Sequence, residues 1–402
     1  MTPRLTLRRW PVVALMTGAL LARPRSASAA PDADLVAALE ASGRADVVAF
    51  DLPAAAHAPH VRAVTIAHAP AAAVLAALAD PSRYSALIPS LVRSKEIARR
   101  GDVRVVEWEL EIPLFNLSGT LELRPRPGGV ELALVDGDLS PGRLVFETAA
   151  RADGGTTVEV DARLDVERSS FFLRRIMARS EYGQPATLSA ATWVALRAVA
   201  LRAEHPRDAT AFRPTAPFFV SPPGQPDGRA LARAPFGPLA ARGAVAVVNL
   251  APTGRLASVA VGVTARETPA ALAARLGDPR SWHAFPGWRQ VRPMPPTPTL
   301  PARIEVEDGI PLVDFDATWR AEPAPRSSWW LAIDGAARGA WFGWQVSSAA
   351  PASEAVLTMS PRLEATGSIP RKFIAAEPLL ETGLGLALVF VDAVSATRSG
   401  GH

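Results

Sequence analysis

The sequence predicts an α+β protein built from two tandem copies of one unit. Each copy is expected to be a curved antiparallel sheet wrapped around a long C-terminal helix. Three observations carry this reading. Special residues recur at an offset of about 198. Each copy reads as short period-two segments separated by Gly- and Pro-rich turns. Each copy then closes on a long helical segment that is apolar over a wide arc.

The repeat comes first because it fixes the architecture. Asp80-Pro81 falls on Asp278-Pro279, Tyr84 on Trp282, and Ile112-Pro113-Leu114 on Ile310-Pro311-Leu312. Thr120 meets Thr318, Pro125 and Pro127 meet Pro323 and Pro325, and Asp136-Gly137 meets Asp334-Gly335. Ser170 and Ile176 meet Ser368 and Ile374. Upstream the offset reads as 200, pairing Gly43, Val47 and Val48 with Gly243, Val247 and Val248. Alanine matches are cheap in this chain, but ordered matches at Pro, Gly and Asp mark shared turns.

Within copy one, 35–42 reads as a short helix and 46–50 as a strand. Residues 62–67 alternate like a second strand. Residues 70–79 are helical, with Val74 and Leu78 on one side. Residues 80–87 read as another short helix that Asp80 caps and Pro81 opens. Strands follow at 104–110, 117–123, 130–135, 143–148 and 156–164. In the first of these, Val106, Trp108 and Leu110 share a face opposite Glu107 and Glu109. Residues 170–204 read as helix, interrupted near 183–185. A strongly curved sheet gripping such a helix leaves an apolar hollow between them.

Composition bounds what the chain can do. It has 402 residues, 49% of them hydrophobic, with 38 prolines and no cysteine. That excludes disulfides, thiolate metal sites and a cysteine nucleophile. The formal charge of +4 owes itself to five arginines within residues 1–29. Without them, 38 basic residues face 39 acidic ones. No basic surface for nucleic acid is expected.

Those first residues read as an export signal. A basic stretch from Arg4 to Arg9 precedes an apolar run from Pro11 to Ala22, and Ala27-Ser28-Ala29 offers a cleavage site. Arg8-Arg9 followed by Trp10 leaves both the Sec and the twin-arginine route open. The expected organisation is a signal peptide over 1–29, copy one over 30–203, a linker over 204–229, copy two over 230–398 and a tail over 399–402. Six prolines between His205 and Gly228 make the linker stiff. The location expected is periplasmic or secreted.

The run Val64-Thr65-Ile66-Ala67-His68-Ala69-Pro70, then Asp80-Pro81-Ser82-Arg83-Tyr84 and Pro89, resembles the START-like (SRPBCC) helix-grip superfamily. The nearest likeness is to its polyketide-cyclase and coenzyme Q-binding branch. Asp278, Trp282 and Pro286, followed by Trp288, repeat the pattern in copy two. The resemblance implies a cavity for a hydrophobic small molecule such as a lipid, a sterol, a quinone or an aromatic polyketide. The fold alone does not choose between carrier and cyclase.

Sequence patterns for catalysis are absent. No phosphate loop, nucleophile elbow or metalloprotease helix occurs. His57 and His60 form the only close histidine pair, and they read as a loop without acidic partners rather than a metal site. His68 and His283 read as surface positions. Glu107, Glu109 and Glu111 form a solvated face. Gly383-Leu384-Gly385 reads as close helix packing. No metal, cofactor or catalytic residue is expected, and a binding role is preferred to an enzymatic one.

The expected cavity lining in copy one is Tyr84, Trp108, Leu110, Leu121, Leu132, Phe146 and Trp193. Transferred to copy two, the same parity turns Trp319, Trp330, Phe342 and Trp344 inward. These rings either plug a structural core or form an aromatic site. The opposite parity carries an outer apolar patch of Trp329, Leu331, Ile333 and Trp341. That patch is expected to pack on copy one, on the linker or on a partner, with transient membrane contact the lesser alternative. Pro293, Pro295, Pro296, Pro298 and Pro301 are expected to lie outside the sheet ladder, as a lid or a surface loop.

The functional expectation is an exported carrier for a hydrophobic small molecule, bound mainly in copy one. The alternatives are a polyketide-cyclase-like enzyme and a non-catalytic envelope interaction module.

Overall fold

The computed structural model describes residues 31–51, 59–86, 88, 90–112, 115–164, 174, 182–207, 237–284, 288–298, 301–310, 313–322, 328–349, 352–362 and 378–398. The expected export signal, the linker beyond residue 207, the C-terminal tail, His57, Pro89 and Pro286 lie outside them. So do the matched pairs at Pro113 and Pro311, Ser170 and Ser368, and Ile176 and Ile374.

Copy one runs α1 (Ala33–Ala41), β1 (Asp46–Asp51), β2 (His60–Ala67), α2 (Ala71–Ala79), a 3-10 turn (Pro81–Ala86), β3 (Leu91–Arg100), β4 (Val103–Ile112), β5 (Phe115–Arg126), β6 (Gly129–Gly137), β7 (Gly142–Ala150), β8 (Thr156–Leu164) and α3 (Gly183–Glu204). Copy two runs α4 (Gly237–Arg242), β9 (Gly243–Leu250), β10 (Leu256–Ala265), α5 (Pro269–Gly277), a 3-10 turn (Pro279–Ala284), β11 (Trp288–Met294), β12 (Arg303–Ile310), β13 (Val313–Glu322), β14 (Ser328–Gly335), β15 (Trp341–Ala349), β16 (Ala352–Ser360) and α6 (Pro378–Arg398). From β1 onward, the two copies share one order of elements. The segment at 80–87 is a 3-10 turn rather than an α-helix. The long helix α3 starts at Gly183, after a turn at Tyr182, and most of the expected helical stretch before it lies outside the described residues.

The register shows that the copies share one frame. In both, a bulge falls at the same place, between Thr120 and Leu121 and between Thr318 and Trp319. The glycines opposite, Gly137 and Gly335, have φ of +83° and +85°. A Cβ on either would sit within 2.3 Å of a backbone oxygen on the neighbouring strand. The repeated Asp-Gly therefore marks a turn that only glycine can make.

The offset of 200 at the first strand needs correcting. Val47 pairs with Val64, while Val245 pairs with Gly262. Val47 thus corresponds to Val245 and Val48 to Ala246, so the offset stays at 198. A slip of two residues preserves strand parity and lands valine on valine, so the pattern hides it.

All sixteen strands join one antiparallel sheet, in the order β11-β12-β13-β14-β15-β16-β10-β9-β1-β2-β8-β7-β6-β5-β4-β3. The copies meet where β1 pairs with β9, with Val48 facing its own counterpart Ala246. Asp46 opposite Val248 is mirrored by Phe50 opposite Ala244. This is the self-complementary geometry of a two-fold dimer, realised within one chain.

The helices α3 and α6 pack together across that axis, on one side of the sheet. A Cβ on Gly383 would meet Val194 at 3.0 Å and Ala190 at 3.8 Å, so the glycine in α6 sets a close approach to α3. The ring of Phe50 meets Phe390 edge-on at 5.5 Å. By length and composition α6 could cross a bilayer, but 72% of its apolar window is buried in the fold. On the other side of the sheet, α1 and α4 cover the junction over Val47, Val64, Val245 and Val247. Asp32 caps α1 by accepting the N–H groups of Asp34 and Leu35.

Two expectations about copy two change here. Its outer patch does not join the copies, because β14 and β15 are separated from β9 by β16 and β10. Trp329 is buried, while Leu331, Ile333 and Trp341 are half-buried. Pro293 does sit in the ladder, opposite Ile304. It is tolerated because β11 is an edge strand, where a missing N–H faces no neighbour. The other edge, β3, carries bulges at Val92 and Ile97, which interrupt its pairing surface.

Candidate functional site

Alternation decides which side chains of each copy's strands face the long helices. In copy one, Val106 and Trp108 from β4, Leu121 and Leu123 from β5, Leu132 and Leu134 from β6, and Phe146 from β7 turn inward. Trp193 and Leu196 of α3 meet them from the other side. Of the expected lining residues, Tyr84, Trp108, Leu121, Leu132, Phe146 and Trp193 are buried in this one core, and Leu110 packs half-buried against it.

Two of these residues have polar ends that are already committed. The Tyr84 hydroxyl donates to the Leu78 carbonyl, and burial pushes its ionisation far up. Trp282 does the same in copy two, donating from Nε1 to the Leu276 carbonyl at 3.0 Å. The aromatic that follows the repeated Asp-Pro thus ties the 3-10 turn to the end of the preceding helix. Trp193 donates from Nε1 to Asp46 at 2.9 Å, and Thr65 donates to the other Asp46 oxygen at 2.5 Å. Asp46 is buried, and this network has no counterpart in copy two, where Ala244 and Val263 take the positions of Asp46 and Thr65.

Copy two places larger rings on the same frame. Trp282 replaces Tyr84, Trp288 replaces Leu91, and Trp319 and Trp330 replace Leu121 and Leu132. Phe342 and Trp344 replace Leu144 and Phe146. Against this, Val306 replaces Trp108. The rings interlock. Trp282 meets Trp288, Trp330 and Phe342 edge-on at 5.0–5.6 Å. Phe342 also meets Trp319 edge-on at 4.8 Å. These are close-packed, mutually supporting contacts.

A second candidate lies on the outer face of copy one. It is a trough of about 970 Å³ lined by strands β1, β2 and β5 to β8, with Asp32 and Arg242 at one end. His60 corrects the loop reading: it begins β2 and stands between two acids. Nδ1 lies 2.7 Å from Asp51, and Nε2 lies 2.8 Å from Asp161. Carboxylates only accept, so both nitrogens donate and the ring is an imidazolium. Burial opposes that charge, yet the bonds to Asp161 and Asp51 outweigh it and raise the His60 pKa. Burial likewise opposes ionisation of Asp51 and Asp161, but His60 holds both below the usual carboxylate range.

Beside them Arg62 pairs with Asp32 and Asp51. Glu159 accepts the Asp32 N–H at 2.6 Å, and burial lifts its pKa to about 7. The acids that partner His60 come from positions 9 and 101 residues away, which no local motif could reveal. A protonated, doubly bonded His60 is a clamp between strands and offers no free base. Arg124 and Arg126 are also engaged, by Glu131. Among the described residues, no group of three or more His, Cys, Asp or Glu side chains could hold a metal.

Residues 67–182 match the family model described as polyketide cyclase / dehydrase and lipid transport. Over that span copy one is similar to the START-like family. The matched span runs from the end of β2 to the start of α3, which is the wall of the interior just described.

Three solved structures show how loose the START-like likeness is. Against the Zhui aromatase/cyclase from Streptomyces sp. R1128, identity is 14% over 38% of this chain and 98% of that one, with a TM-score of 0.32. Against a STAR-related lipid transfer protein from Xanthomonas axonopodis (fragment 25-204), it is 13% over 40% and 94%, with a TM-score of 0.31. The di-domain ARO/CYC StfQ from the steffimycin biosynthetic pathway matches over 84% of this chain and 99% of its own, at 10% identity and a TM-score of 0.27. Likenesses at this level say nothing about ligand or reaction. No curated protein matches the chain.

Proposed function

We propose that the chain is an exported carrier that holds a hydrophobic small molecule, such as a lipid, sterol or quinone, between the sheet and α3 of copy one. Copy two is its filled, structural counterpart. One observation carries the reading: at five matched strand positions and at the aromatic of the 3-10 turn, copy one holds smaller inward side chains than copy two. A frame wide enough for six large rings, lined instead mostly by leucine, leaves apolar room.

Binding is favoured over catalysis by the state of the interior polar groups. Asp46 is occupied by Trp193 and Thr65, and Tyr84 by Leu78. Neither is placed to move a proton on a ligand.

The test transplants copy-two residues into copy one. The chain is recovered from its native host, and bound molecules are identified by mass spectrometry. The unaltered chain is expected to carry a lipid-like ligand, and Leu121→Trp/Leu132→Trp to come out empty but folded. Repeatedly empty unaltered protein would sink the reading.

A further inference from the structure

We propose that copy one selects ligands bearing a hydrogen-bond-accepting oxygen, a ring ketone or quinone carbonyl above all, through the Trp108 indole N–H and the hydroxyls of Ser189 and Thr192. This rests on the carrier reading above and names the chemistry its ligand must show.

Trp108 is 6% exposed, Thr192 1% and Ser189 0%, and none of their side-chain polar atoms has a hydrogen-bond partner. Buried polar groups are ordinarily paired, because an unpaired one forfeits its hydration with nothing in return. Comparable groups elsewhere in the fold are paired. The indole N–H groups of Trp193 and Trp282 reach Asp46 and Leu276. Thr156 donates to the Ala69 carbonyl at 2.6 Å. A helical Ser or Thr usually relieves itself on the carbonyl four residues back. Thr187 does so on Gly183 at 2.8 Å, and Thr397 does so on Ala393 at 2.7 Å. Ser189 and Thr192 do not.

Trp330 of copy two also lacks an acceptor for its N–H. Its ring meets Trp282 edge-on at 5.0 Å. Ring faces accept N–H groups weakly. Trp108 has no ring contact among the described residues.

Placement supports a shared target. Trp108 stands on the sheet wall, paired across the ladder with Gly119. On α3, Ala190 and Val194 face Gly383 of α6. At 100° per residue, Ser189, Thr192 and Leu196 form a separate stripe on another flank. The donors therefore belong to two walls, with Val106, Leu121, Leu132 and Phe146 among the apolar side chains of the same core. A buried water needs two to four polar partners, so walls this apolar favour a ligand that brings its own oxygen.

The test is equilibrium dialysis of the full chain against 9-fluorenone and fluorene, which share a ring skeleton and differ by one carbonyl oxygen. Fluorenone is expected to bind about tenfold more tightly, the worth of one net hydrogen bond. Trp108→Phe should bring the ratio close to one while fluorene still binds. Ser189→Ala/Thr192→Val should lower the ratio too, and serves if Trp108→Phe does not fold. Equal binding of both probes, or a ratio that neither variant moves, overturns this inference and leaves the carrier reading standing. If neither probe binds, both fall together.

Discussion

Copy one and copy two share a register, a bulge and an anchoring aromatic, yet they fill their interiors in opposite ways. Copy two is closed by interlocked rings. Copy one places leucines at most of those sites, and the Trp108, Ser189 and Thr192 side chains are among its buried groups without a hydrogen-bond partner. The lesson is that a frame and its contents are specified separately. Turns, bulges and alternation set the frame, while side-chain size at a few inward positions sets whether room is left.

The largest effect expected from this contrast lies in copy two. Trp282 touches three rings and anchors its turn. Trp282→Ala should cost about 3–5 kcal/mol in urea denaturation, as large-to-small changes do in tight cores. Tyr84→Ala at the corresponding site should cost clearly less. Equal losses would erase the difference between the copies.

Next comes the charged outer face of copy one. Glu159 has its pKa raised to about 7 in the folded state, against 4.5 for the free side chain. Between those values the folded state binds the proton more tightly, so stability falls as pH rises through the window. Glu159→Gln keeps an acceptor for the Asp32 N–H. It should stabilise the chain by up to about 3 kcal/mol at pH 8 and by almost nothing at pH 4.

His60 acts in the same direction. Its raised pKa gives stability that is full below 6.5 and lost as pH rises through the folded value. Asp51 and Asp161, held low, contribute above 3.8 and lose that contribution on acidification. Thermal melts from pH 3 to 9 should therefore show a maximum on the acid side of neutrality. A flat profile would mean the cluster is not coupled to folding.

A comparable effect belongs to the junction. Asp46→Ala removes the acceptor for Trp193 and Thr65 and should cost about 1–3 kcal/mol for each donor left buried and unpaired. Ala244, its counterpart, supports no such network, so Ala244→Gly should change stability far less. A neutral Asp46→Ala would show that water replaces the carboxylate.

Much of this contrast was legible in the sequence. Trp319, Trp330, Phe342 and Trp344 turn inward as strand parity required, because a strand buried on one face leaves little freedom in phase. Gly383 packs closely against α3, as its apolar setting implied. The missed features share a non-local origin. Strand β3 was not expected, since most of its residues are exposed and its two bulges break the alternation. The junction was assigned to the Trp329 patch, because nothing near β1 in the chain announces that its partner is β9. His60 looked isolated because its acids arrive from β1 and β8. A carbonyl partner for Tyr84, or the lack of one for Trp108, exists only once the chain is folded.

The most direct measurement is the stability of Leu132→Trp, which installs in copy one the residue that copy two carries at Trp330. If copy one is hollow, the chain accepts the indole with unchanged or higher stability in urea denaturation, and its bound ligand is displaced. If the interior is already solid, overpacking costs about 1–3 kcal/mol, and the central claim is wrong.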